Sequence, residues 1–253
     1  MTDFIELFSS ERYGIKMNTK NPVYKRMILK LSGEALAGDK KQGLCIDTVT
    51  EICKVVKKCH DAGVEIGIVV GGGNYWRGRS AGISDKITAD HIGMLATMMN
   101  ALAVANVLEA LGCEVRVQSA ISMMEFAEPC IRQKALNHFK KDRIIVFGCG
   151  TGNPSFSTDS AAALRASELN ADIMLKATMV DGVYDKDPLI FDDAVKYETM
   201  KVKDILVGGL RVLDGTAAAM CVESKIPIIV FNLHDPENIF RAVTGENIGT
   251  KVE

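Results

Sequence analysis

Apolar runs and helical patterns alternate along most of this chain. Runs rich in Ile, Val and Leu predict six strands, at Arg26–Leu31, Glu65–Val70, Glu114–Gln118, Arg143–Phe147, Asp172–Lys176 and Ile226–Phe231. Six segments with helical spacing predict helices at Ile46–Ala62, Thr88–Leu111, Cys130–His138, Asp159–Leu169, Asp214–Glu223 and Pro236–Val243. Continuous apolar strands separated by helices are typical of a mostly parallel sheet that is covered on both faces. The pattern therefore predicts an α/β fold, a three-layer αβα sandwich around a mostly parallel sheet.

One part of the chain departs from this alternation. Between Val180 and Met200, the pairs Asp-Gly, Asp-Pro and Asp-Asp are turn signals, and they predict a hairpin laid over the sheet. No low-complexity linker divides the chain, and no repeat of fixed period is present. We therefore expect residues 22–253 to form a single domain with two lobes.

The composition is that of an ordinary soluble enzyme, with 47% apolar residues, 25% charged residues and a net charge of −2. This balance argues against nucleic-acid binding through a broad basic face. No apolar run reaches the roughly 18 residues that a membrane span needs, and residues 1–24 lack the apolar core of a signal peptide. The seven cysteines contain no CxxC pair, which favours a reducing compartment. We expect a cytoplasmic protein that requires neither a membrane nor a nucleic acid.

The most informative stretch lies between Ile144 and Leu169, where the sequence reads IIVFGCGTGNPSFSTDSAAALRASEL. Its apolar start predicts a buried strand, which leads into a loop of small and hydroxyl-bearing residues, and Asp159 then begins an alanine-rich helix. A strand, such a loop and a helix start can together surround an anion with backbone N–H groups and hydroxyls. Taken alone, the stretch fits a phosphate or carboxylate site, and it also fits a plain polar turn in which Asp159 caps the helix.

Similar residues follow other predicted strands. In parallel sheets, ligands bind beyond the carboxyl ends of the strands. Four of these ends carry glycines, basic residues and hydrogen-bond donors, at Lys30–Gly33, at Gly71–Asn74 with Arg77 and Gly78 after it, at Thr151–Thr158 and at Lys176–Thr178. Any one of the four could be a turn, but four at one edge of a sheet describe a cleft for a polyanion.

Common nucleotide-binding motifs do not account for this cleft. The glycine triplet lacks the third glycine of a dinucleotide fingerprint, because Trp76 occupies that position. The chain has neither a P-loop nor the protein-kinase signatures. Its four histidines are dispersed, without the spacing of metal ligands.

Two lysines at strand ends remain, Lys30 and Lys176, together with the acid Asp159. Two ammonium groups aimed at one site repel each other unless an anion lies between them, and a carboxylate can hold both. Such an arrangement suits phosphoryl transfer, because lysines neutralise the charge that builds up on the transferred group. For either lysine alone, extension into solvent is the more ordinary explanation.

Several motifs occur in a fixed order along the chain. They are Tyr24-Lys25-Arg26, Lys30-Leu31-Ser32-Gly33-Glu34-Ala35-Leu36, Gly71-Gly72-Gly73-Asn74, Asp90-His91-x-Gly93-Met94-Leu95-Ala96-Thr97, Thr151-Gly152-Asn153-Pro154 and Lys176-Ala177-Thr178-x-x-Asp181-Gly182-Val183-Tyr184. From about Pro22 to Glu253, the set resembles the bacterial uridylate (UMP) kinases, a branch of the amino-acid kinase superfamily. The whole superfamily shares the glycine triplet and the lysines, whereas the Asp90 helix and the TGNP loop indicate the UMP branch.

The resemblance implies a fold like that of the amino-acid kinases and transfer of the γ-phosphoryl of ATP onto the 5′-phosphate of UMP to give UDP, in pyrimidine nucleotide biosynthesis. Mg²⁺ would be carried by ATP, with no protein side chain as a ligand. The implied catalytic residues are Lys30, Asp159 and Lys176. The implied ATP-binding residues are Lys30, Leu31, Ser32, Gly33, Gly73, Arg77, Thr178, Tyr184 and Asp187. The implied UMP-binding residues are Gly72, Asp90, Thr151, Gly152, Asn153, Pro154, Ser155, Phe156, Ser157 and Thr158.

The helix that follows Asp90 suggests an assembly. From His91 to Leu111 it carries no Lys or Arg, spans about 30 Å and is apolar nearly all round, so it must be buried on every side. A core helix would satisfy this requirement, but we favour a subunit contact, because the resemblance implies a homohexamer built as a trimer of dimers. The resemblance implies that members activated by GTP present basic residues to it at subunit contacts. Since His91 is the only basic group on this predicted helix, we do not expect activation by GTP.

Other functions compete with this interpretation. A sister amino-acid kinase that forms an acyl phosphate from glutamate, acetylglutamate or aspartate would share both lysines and the glycine triplet. A non-catalytic pyrimidine-nucleotide sensor is a second alternative, and the intact lysine–aspartate set argues against it. Residues 1–21 have no counterpart in the resemblance, and Met17 begins the stretch MNTKNPVYKR. We therefore expect residues 1–21 to be an extension that is disordered or not native.

Overall fold

The computed structural model describes residues 21–40, 42–77, 84–178, 180–186, 188, 190–208 and 212–253. Within these ranges the strands are β1 Arg26–Leu31, β2 Glu65–Val70, β3 Val115–Ser119, β4 Glu128–Pro129, β5 Ile144–Gly148, β6 Ile173–Thr178, β7 Val183–Tyr184, β8 Lys196–Tyr197, β9 Thr199–Met200, β10 Ile228–Asn232 and β11 Thr250–Val252. The helices are α1 Gly33–Ala37, α2 Ile46–Asp61, α3 Lys86–Ala110, α4 Arg132–Phe139, α5 Thr158–Leu169, α6 Val202–Gly208, α7 Gly215–Ser224 and α8 Asn238–Val243. The extension predicted at residues 1–21 lies, apart from Asn21, outside the described residues.

The described strands form one large sheet and a separate hairpin. The large sheet has nine strands in the order β4-β3-β5-β2-β1-β6-β10-β11-β9. Its pairs are parallel except for β10 with β11. Strands β7 and β8 pair antiparallel, which is the hairpin predicted between Val180 and Met200. The prediction of a mostly parallel sheet is confirmed.

Apolar side chains fill both sides of this sheet. Because successive residues of a strand point to opposite faces, Leu29 belongs to a core with α1, α2, α3 and α8, whereas its neighbour Ile28 belongs to a core with α4, α5, α6 and α7. Both side chains are fully buried. The arrangement is the predicted three-layer αβα sandwich.

The predicted elements are all present, with ends displaced by no more than two residues. Helix α3 begins at Lys86 rather than Thr88 because Asp85 caps it, accepting hydrogen bonds from the backbone N–H groups of Ile87 at 3.2 Å and Thr88 at 3.0 Å. The sequence did not predict α1, α6, β4, β9 or β11. The three missed strands have only two or three residues each, so pairing with a neighbour, and not an apolar run of their own, defines them.

The start of α5 differs from the prediction in a way that matters for the site. The sequence made Asp159 the first residue of this helix and its possible cap. In the structure the helix begins at Thr158, and the cap is Ser157, whose Oγ accepts hydrogen bonds from the N–H of Asp159 at 3.0 Å and of Ser160 at 3.2 Å. Because Ser157 satisfies these N–H groups, the carboxylate of Asp159 is left to interact with the sheet.

Helix α3 is only partly enclosed by its own chain. It is the one described helix that is long and apolar enough to cross a membrane, yet half of its most apolar stretch is buried within the fold, as in a core helix. Its outer face exposes Leu95, Met99 and Leu102, with 48%, 51% and 37% of their surfaces accessible. The single chain therefore does not bury this helix on every side, and its burial in a subunit contact stays a prediction.

Two glycines with left-handed backbone provide a test of the close packing between β10 and β11. Gly249 lies just before β11 with φ +62°, and an added Cβ would stand 2.0 Å from the carbonyl oxygen of Val230. Gly63 has φ +90° and open space around it. We expect Gly63→Ala to lower the free energy of unfolding by about 1 kcal/mol through backbone strain alone. Gly249→Ala should lose roughly a further 1–3 kcal/mol, because the methyl group disturbs the pairing of β10 with β11.

Urea denaturation of the two variants measures this difference. Equal losses for Gly63→Ala and Gly249→Ala would contradict the close approach to Val230.

Candidate active site

Two lysines lie side by side at the centre of the sheet. Lys30 on β1 and Lys176 on β6 are direct partners in the parallel register of these strands. Because side chains alternate along a strand, both point to the face that α5 covers. Main-chain hydrogen bonds between β1 and β6 thus fix two ammonium groups next to each other near the carboxyl edge.

Asp159 joins the two lysines. Its Oδ1 lies 3.2 Å from Lys30 Nζ, and its Oδ2 accepts a hydrogen bond from Lys176 Nζ. The side chains of Lys30, Asp159 and Lys176 are 12%, 14% and 11% exposed, so the cluster is largely shielded from water. Lys176 Nζ also donates to the carbonyl oxygen of Val212. The three residues that the sequence singled out for catalysis are therefore brought together.

The charges of these groups depend on one another. Burial is the largest influence on Asp159 and by itself would raise its pKa, but Lys30 and Lys176 together outweigh burial and hold the pKa of this carboxyl below its ordinary value. Burial also lowers the pKa of Lys176, an effect that the charge of Asp159 only partly offsets and that Lys30 reinforces. One carboxylate between two ammonium groups leaves the cluster with an excess positive charge. An anionic ligand such as a phosphoryl group would balance it.

Asp214 supports the position of Asp159 from the neighbouring helix. Its carboxylate caps α7, accepting a hydrogen bond from the N–H of Ala217 at 2.9 Å, and it accepts another from Ser160 Oγ at 2.8 Å. It also accepts a hydrogen bond from the Oγ of Ser157, the cap of α5. One acid therefore links the N-termini of α5 and α7, on either side of the lysine cluster.

Close backbone contacts explain two of the glycines at this edge. A Cβ on Gly33 would stand 2.6 Å from the backbone N of Gly73, and a Cβ on Gly72 would stand 2.8 Å from the backbone O of Gly93 in α3. Gly73 differs, because the nearest atoms to its added Cβ would be those of the Glu34 carboxylate, the closest at 2.3 Å. The same carboxylate lies 2.9 Å from Arg77 Nη2. The chain therefore comes very close to itself between β1 and β2, and a flexible side chain covers Gly73.

The other residues that the resemblance assigned to ATP occupy varied positions. Ser32 caps α1 through a hydrogen bond from the N–H of Ala35 at 3.1 Å. The side chain of Leu31 is fully buried in the core, so only its main chain can reach a ligand. Thr178 is half-buried at the end of β6, and the hydroxyl of Tyr184 donates to Asp181 at 2.6 Å. Asp187 lies outside the described residues.

A hollow of about 280 Å³ opens between the start of α3 and the loop after β5. Among the residues assigned to UMP, it is lined by Gly72, Asp90, Thr151, Asn153, Phe156, Ser157 and Thr158, and Gly73 joins them. Asp90 Oδ2 accepts a hydrogen bond from the N–H of Ser155 at 2.8 Å. The first turn of α3 is thereby tied to the loop, and the hollow ends one residue before Asp159.

Three residues assigned to UMP do not line this hollow, namely Gly152, Pro154 and Ser155. Gly152 instead packs against Ala120, because its added Cβ would stand 2.8 Å from that carbonyl oxygen. Ser155 holds the loop through its bond to Asp90 and has φ +71°. Sequence reasoning missed six lining residues, Trp76, Ala89, Gly93, Met94, Thr97 and Gly150. Five of them belong to the quoted motifs or lie next to them: Gly93, Met94 and Thr97 are part of the Asp90 motif, and Ala89 and Gly150 each precede a motif.

No protein metal centre is formed by the described residues. In these ranges, no group of three or more His, Cys, Asp and Glu side chains lies close enough to hold a metal ion. The buried carboxylate nearest the cleft, Asp159, is already engaged by two lysines.

Removing the charge of Asp159 should reveal the coupling within the cluster. In Asp159→Asn the two lysines lack a counter-ion, and we expect the free energy of unfolding to fall by about 3 kcal/mol near neutral pH. The pKa of Lys176 should fall further in the variant. At pH values above this lowered pKa, the folded variant binds fewer protons than the unfolded variant, so its stability rises with pH. In acid, the wild type loses the contribution of Asp159 as the pH falls through the lowered pKa of this group. The deficit should therefore be largest near neutral pH and shrink on both sides.

Chemical denaturation over a range of pH measures this deficit. The matched control is Asp61→Asn, because Asp61 forms an exposed pair with Lys57 on α2 at 2.8 Å, and it should change stability little at any pH. A deficit of Asp159→Asn that does not vary with pH would refute the coupling.

The chain is similar to known proteins over most of its length. The sequence pattern of the amino acid kinase family matches residues 25–232. A UMP kinase from Bacillus anthracis is 36% identical and superposes with a TM-score of 0.87, over 91% of this chain and 96% of that chain. A UMP kinase from Ureaplasma parvum is 34% identical with a TM-score of 0.85, over 90% and 98% of the two chains. A uridylate kinase from Archaeoglobus fulgidus is 30% identical with a TM-score of 0.70, over 90% and 99%. By this sequence match, these likenesses and the geometry of its site, the chain belongs to the amino acid kinase family.

Proposed function

We propose that this protein transfers the γ-phosphoryl group of ATP onto the 5′-phosphate of UMP to give UDP. The observation that carries the proposal is that the buried Lys30–Asp159–Lys176 cluster and the polar hollow meet along the chain, since Thr158 lines the hollow and the next residue, Asp159, joins the two lysines. A positively charged cluster beside a polar hollow suits two phosphate groups that must approach each other.

The chemistry requires positioning and charge neutralisation more than proton transfer. Lys30 and Lys176 would contact the transferring phosphoryl group and neutralise the charge that develops on it. Asp159 would hold the two ammonium groups at a fixed separation, so that their alignment needs no rearrangement during the reaction. A nucleoside monophosphate has its second pKa near about 6, so the attacking oxygen is largely ionised at neutral pH. No catalytic base is then required.

The two nucleotides would lie on either side of this cluster. UMP would occupy the hollow, with Asp90 beside its ribose and the loop Thr151–Thr158 around it. ATP would lie along the Gly33 and Gly73 backbones, with Arg77 near its phosphates. The flat ring of Tyr184 would lie by its base. Mg²⁺ bound to the ATP phosphates would add further neutralisation, with its ligands from the nucleotide and water.

The choice of UMP over other acceptors rests on the hollow and on the relatives. The similar structures are named UMP or uridylate kinases. A sister kinase that phosphorylates glutamate, acetylglutamate or aspartate would need the same lysines, but an amino acid has no ribose for Asp90 and no phosphate for the hydroxyl-rich loop. A non-catalytic sensor would not need the paired lysines and their buried acid.

A substrate panel tests the proposal. ADP release from ATP and Mg²⁺ should occur with UMP, and more weakly or not at all with CMP, glutamate, acetylglutamate and aspartate. Asp159→Asn should lower kcat by about a hundredfold or more, with little change in the dissociation constant of UMP, because the misaligned lysines act mainly in the transition state. Asp61→Asn should match the wild type. Release with glutamate but not UMP would favour the sister kinase, and equal kcat in Asp159→Asn would reject the role of this acid.

We also propose that the protein is a cytoplasmic homohexamer, assembled through the apolar face of α3. Leu95, Met99 and Leu102 are spaced three or four residues apart on that face and are between 37% and 51% exposed. Such a row of exposed apolar side chains on one helix is typical of a subunit contact.

Analytical ultracentrifugation tests the assembly. The wild type should sediment at the mass of a hexamer, and Met99→Asp should give smaller species, because the contact would bury an unpaired charge. Val222→Asp is the matched control, since Val222 is 37% exposed on α7, and it should leave the assembly intact. A stable wild-type monomer at micromolar concentration would refute the proposal.

A further inference from the structure

Helix α3 contains a fully buried amide for which the proposed function gives no role. Asn100 has no accessible surface. Its Nδ2 donates to the carbonyl oxygen of Gly71 at 2.6 Å and to Asn74 Oδ1 at 2.7 Å, and its Oδ1 accepts from Asn74 Nδ2 at 3.1 Å. Asn74, only 2% exposed, also donates to the carbonyl oxygen of Gly43 at 2.7 Å. The two amides therefore form a closed pair that reaches the backbone on both sides.

An apolar residue would be the ordinary choice at this position of α3. The adjacent turns of the helix bury Ala96, Ala101 and Val104 in the core. An amide in such surroundings is unfavourable unless its polar atoms are bonded, and bonded amides fix the direction of the groups they contact more sharply than apolar packing does. The contact that Asn100 makes outside the pair is with Gly71.

Gly71 is the point at which β2 ends and the glycine triplet begins. Its N–H donates to Leu31 at 2.8 Å, and its carbonyl is held by Asn100. Three consecutive glycines have more conformational freedom than any other tripeptide, and they have no side chains with which to fix themselves. The hydrogen bond from α3 removes this freedom at the first peptide of the triplet.

The direction of one carbonyl sets the direction of the next N–H. In a trans peptide the C=O of one residue and the N–H of the following residue point to opposite sides. With the Gly71 carbonyl turned towards Asn100, the N–H of Gly72 points away from α3. Gly72 and Gly73 both line the hollow beside the lysine cluster.

We propose that Asn100 is a positioning residue for phosphoryl transfer. Its side-chain amide fixes the Gly71–Gly72 peptide, so that the backbone N–H groups of Gly72 and Gly73 face the phosphoryl groups between the two nucleotides. Asn74 completes the pair and connects it to Gly43. The inference deepens the proposed function and rests on it as far as the reaction is concerned.

Two substitutions within the pair separate positioning from stability. Asn100→Asp keeps the size of the side chain but replaces the donor to Gly71 with a carboxylate that repels its carbonyl. Asn74→Asp keeps an acceptor for Asn100 Nδ2, which can still donate to Gly71, and loses the two bonds from Asn74 Nδ2, to Gly43 and to Asn100 Oδ1. Both changes place an acid in the same buried pair, and we expect similar losses in Tm. Asn137→Asp, on the exposed surface of α4, is the control that should match the wild type.

The kinetics should differ where the stabilities do not. Asn100→Asp should lower kcat by about tenfold to a hundredfold, the range for loss of backbone donors at a developing charge, and should also raise the KM for UMP, because Gly72 lines the hollow proposed for UMP. Asn74→Asp should keep kcat within about threefold of the wild type, because its peptide at Gly71 is still held. If Asn100→Asp fails to fold, Asn100→Ser takes its place, since the short hydroxyl cannot reach Gly71 and adds no charge.

Calorimetric titration with ATP alone gives a second readout that does not depend on UMP turnover. ATP should bind more weakly to Asn100→Asp or Asn100→Ser than to Asn74→Asp. Wild-type protein that binds ATP but does not phosphorylate UMP would reject the proposed function alone, and the ATP affinities would still decide the role of Asn100. Wild-type kcat and ATP affinity in the Asn100 variants, or equal losses in Asn74→Asp, would overturn the inference. Absence of ATP binding by the wild type would overturn both.

Discussion

The repulsion between two lysines on adjacent strands is the constraint around which the site is built. Lys30 and Lys176 are register partners, so the pairing of β1 with β6 that stabilises the sheet also brings two positive charges together. Asp159 makes that arrangement tolerable in a shielded place, and its pKa is lowered as a result. The acid can do so only because Ser157 caps α5 in its stead, and Asp214 in turn holds Ser157 and Ser160. The cluster is therefore sustained by helix caps as well as by ion pairs.

Helix α3 imposes a second constraint, from the opposite side of the sheet. Its buried face carries two polar side chains among apolar ones, and each bonds to a loop at the carboxyl edge. Thr97 Oγ1 accepts from the N–H of Cys149 at 2.8 Å, where the loop after β5 begins. Asn100 holds Gly71, where the glycine triplet begins. One rigid element thus sets the relative placement of the two loops that would hold the two nucleotides, while its outer face presents Leu95 and Met99 to solvent or to a partner.

How far the sequence predicts this structure follows from where the determining contacts lie. Strand β1 was predicted with its observed ends, because four of its six residues are apolar and polar residues flank it. The joining of Lys30, Asp159 and Lys176 could be anticipated because the two lysines lie at the ends of predicted strands and Asp159 begins the helix that follows a third strand. The capping of α5 by Ser157 could not, since serine and aspartate are both good caps and the choice depends on lysines far away in sequence. The pair of Asn74 with Asn100 left no signal either, because a single asparagine within an apolar helix does not reveal what it bonds to across the fold.

The glycines of the site also show what the sequence cannot predict. An added side chain would meet a different part of the protein at each of three glycines, although the residue type is the same. Gly33 meets the backbone of the triplet, and Gly72 meets the backbone of α3, so a side chain at either position would require the main chain to move. Nearest to an added Cβ on Gly73 is the end of the Glu34 side chain, which is 41% exposed and paired with Arg77. A flexible, solvated carboxylate can leave that place at little cost, whereas backbone cannot. This difference supports the proposal that ATP lies along the Gly73 backbone, because a phosphate there would displace a side chain and not the main chain.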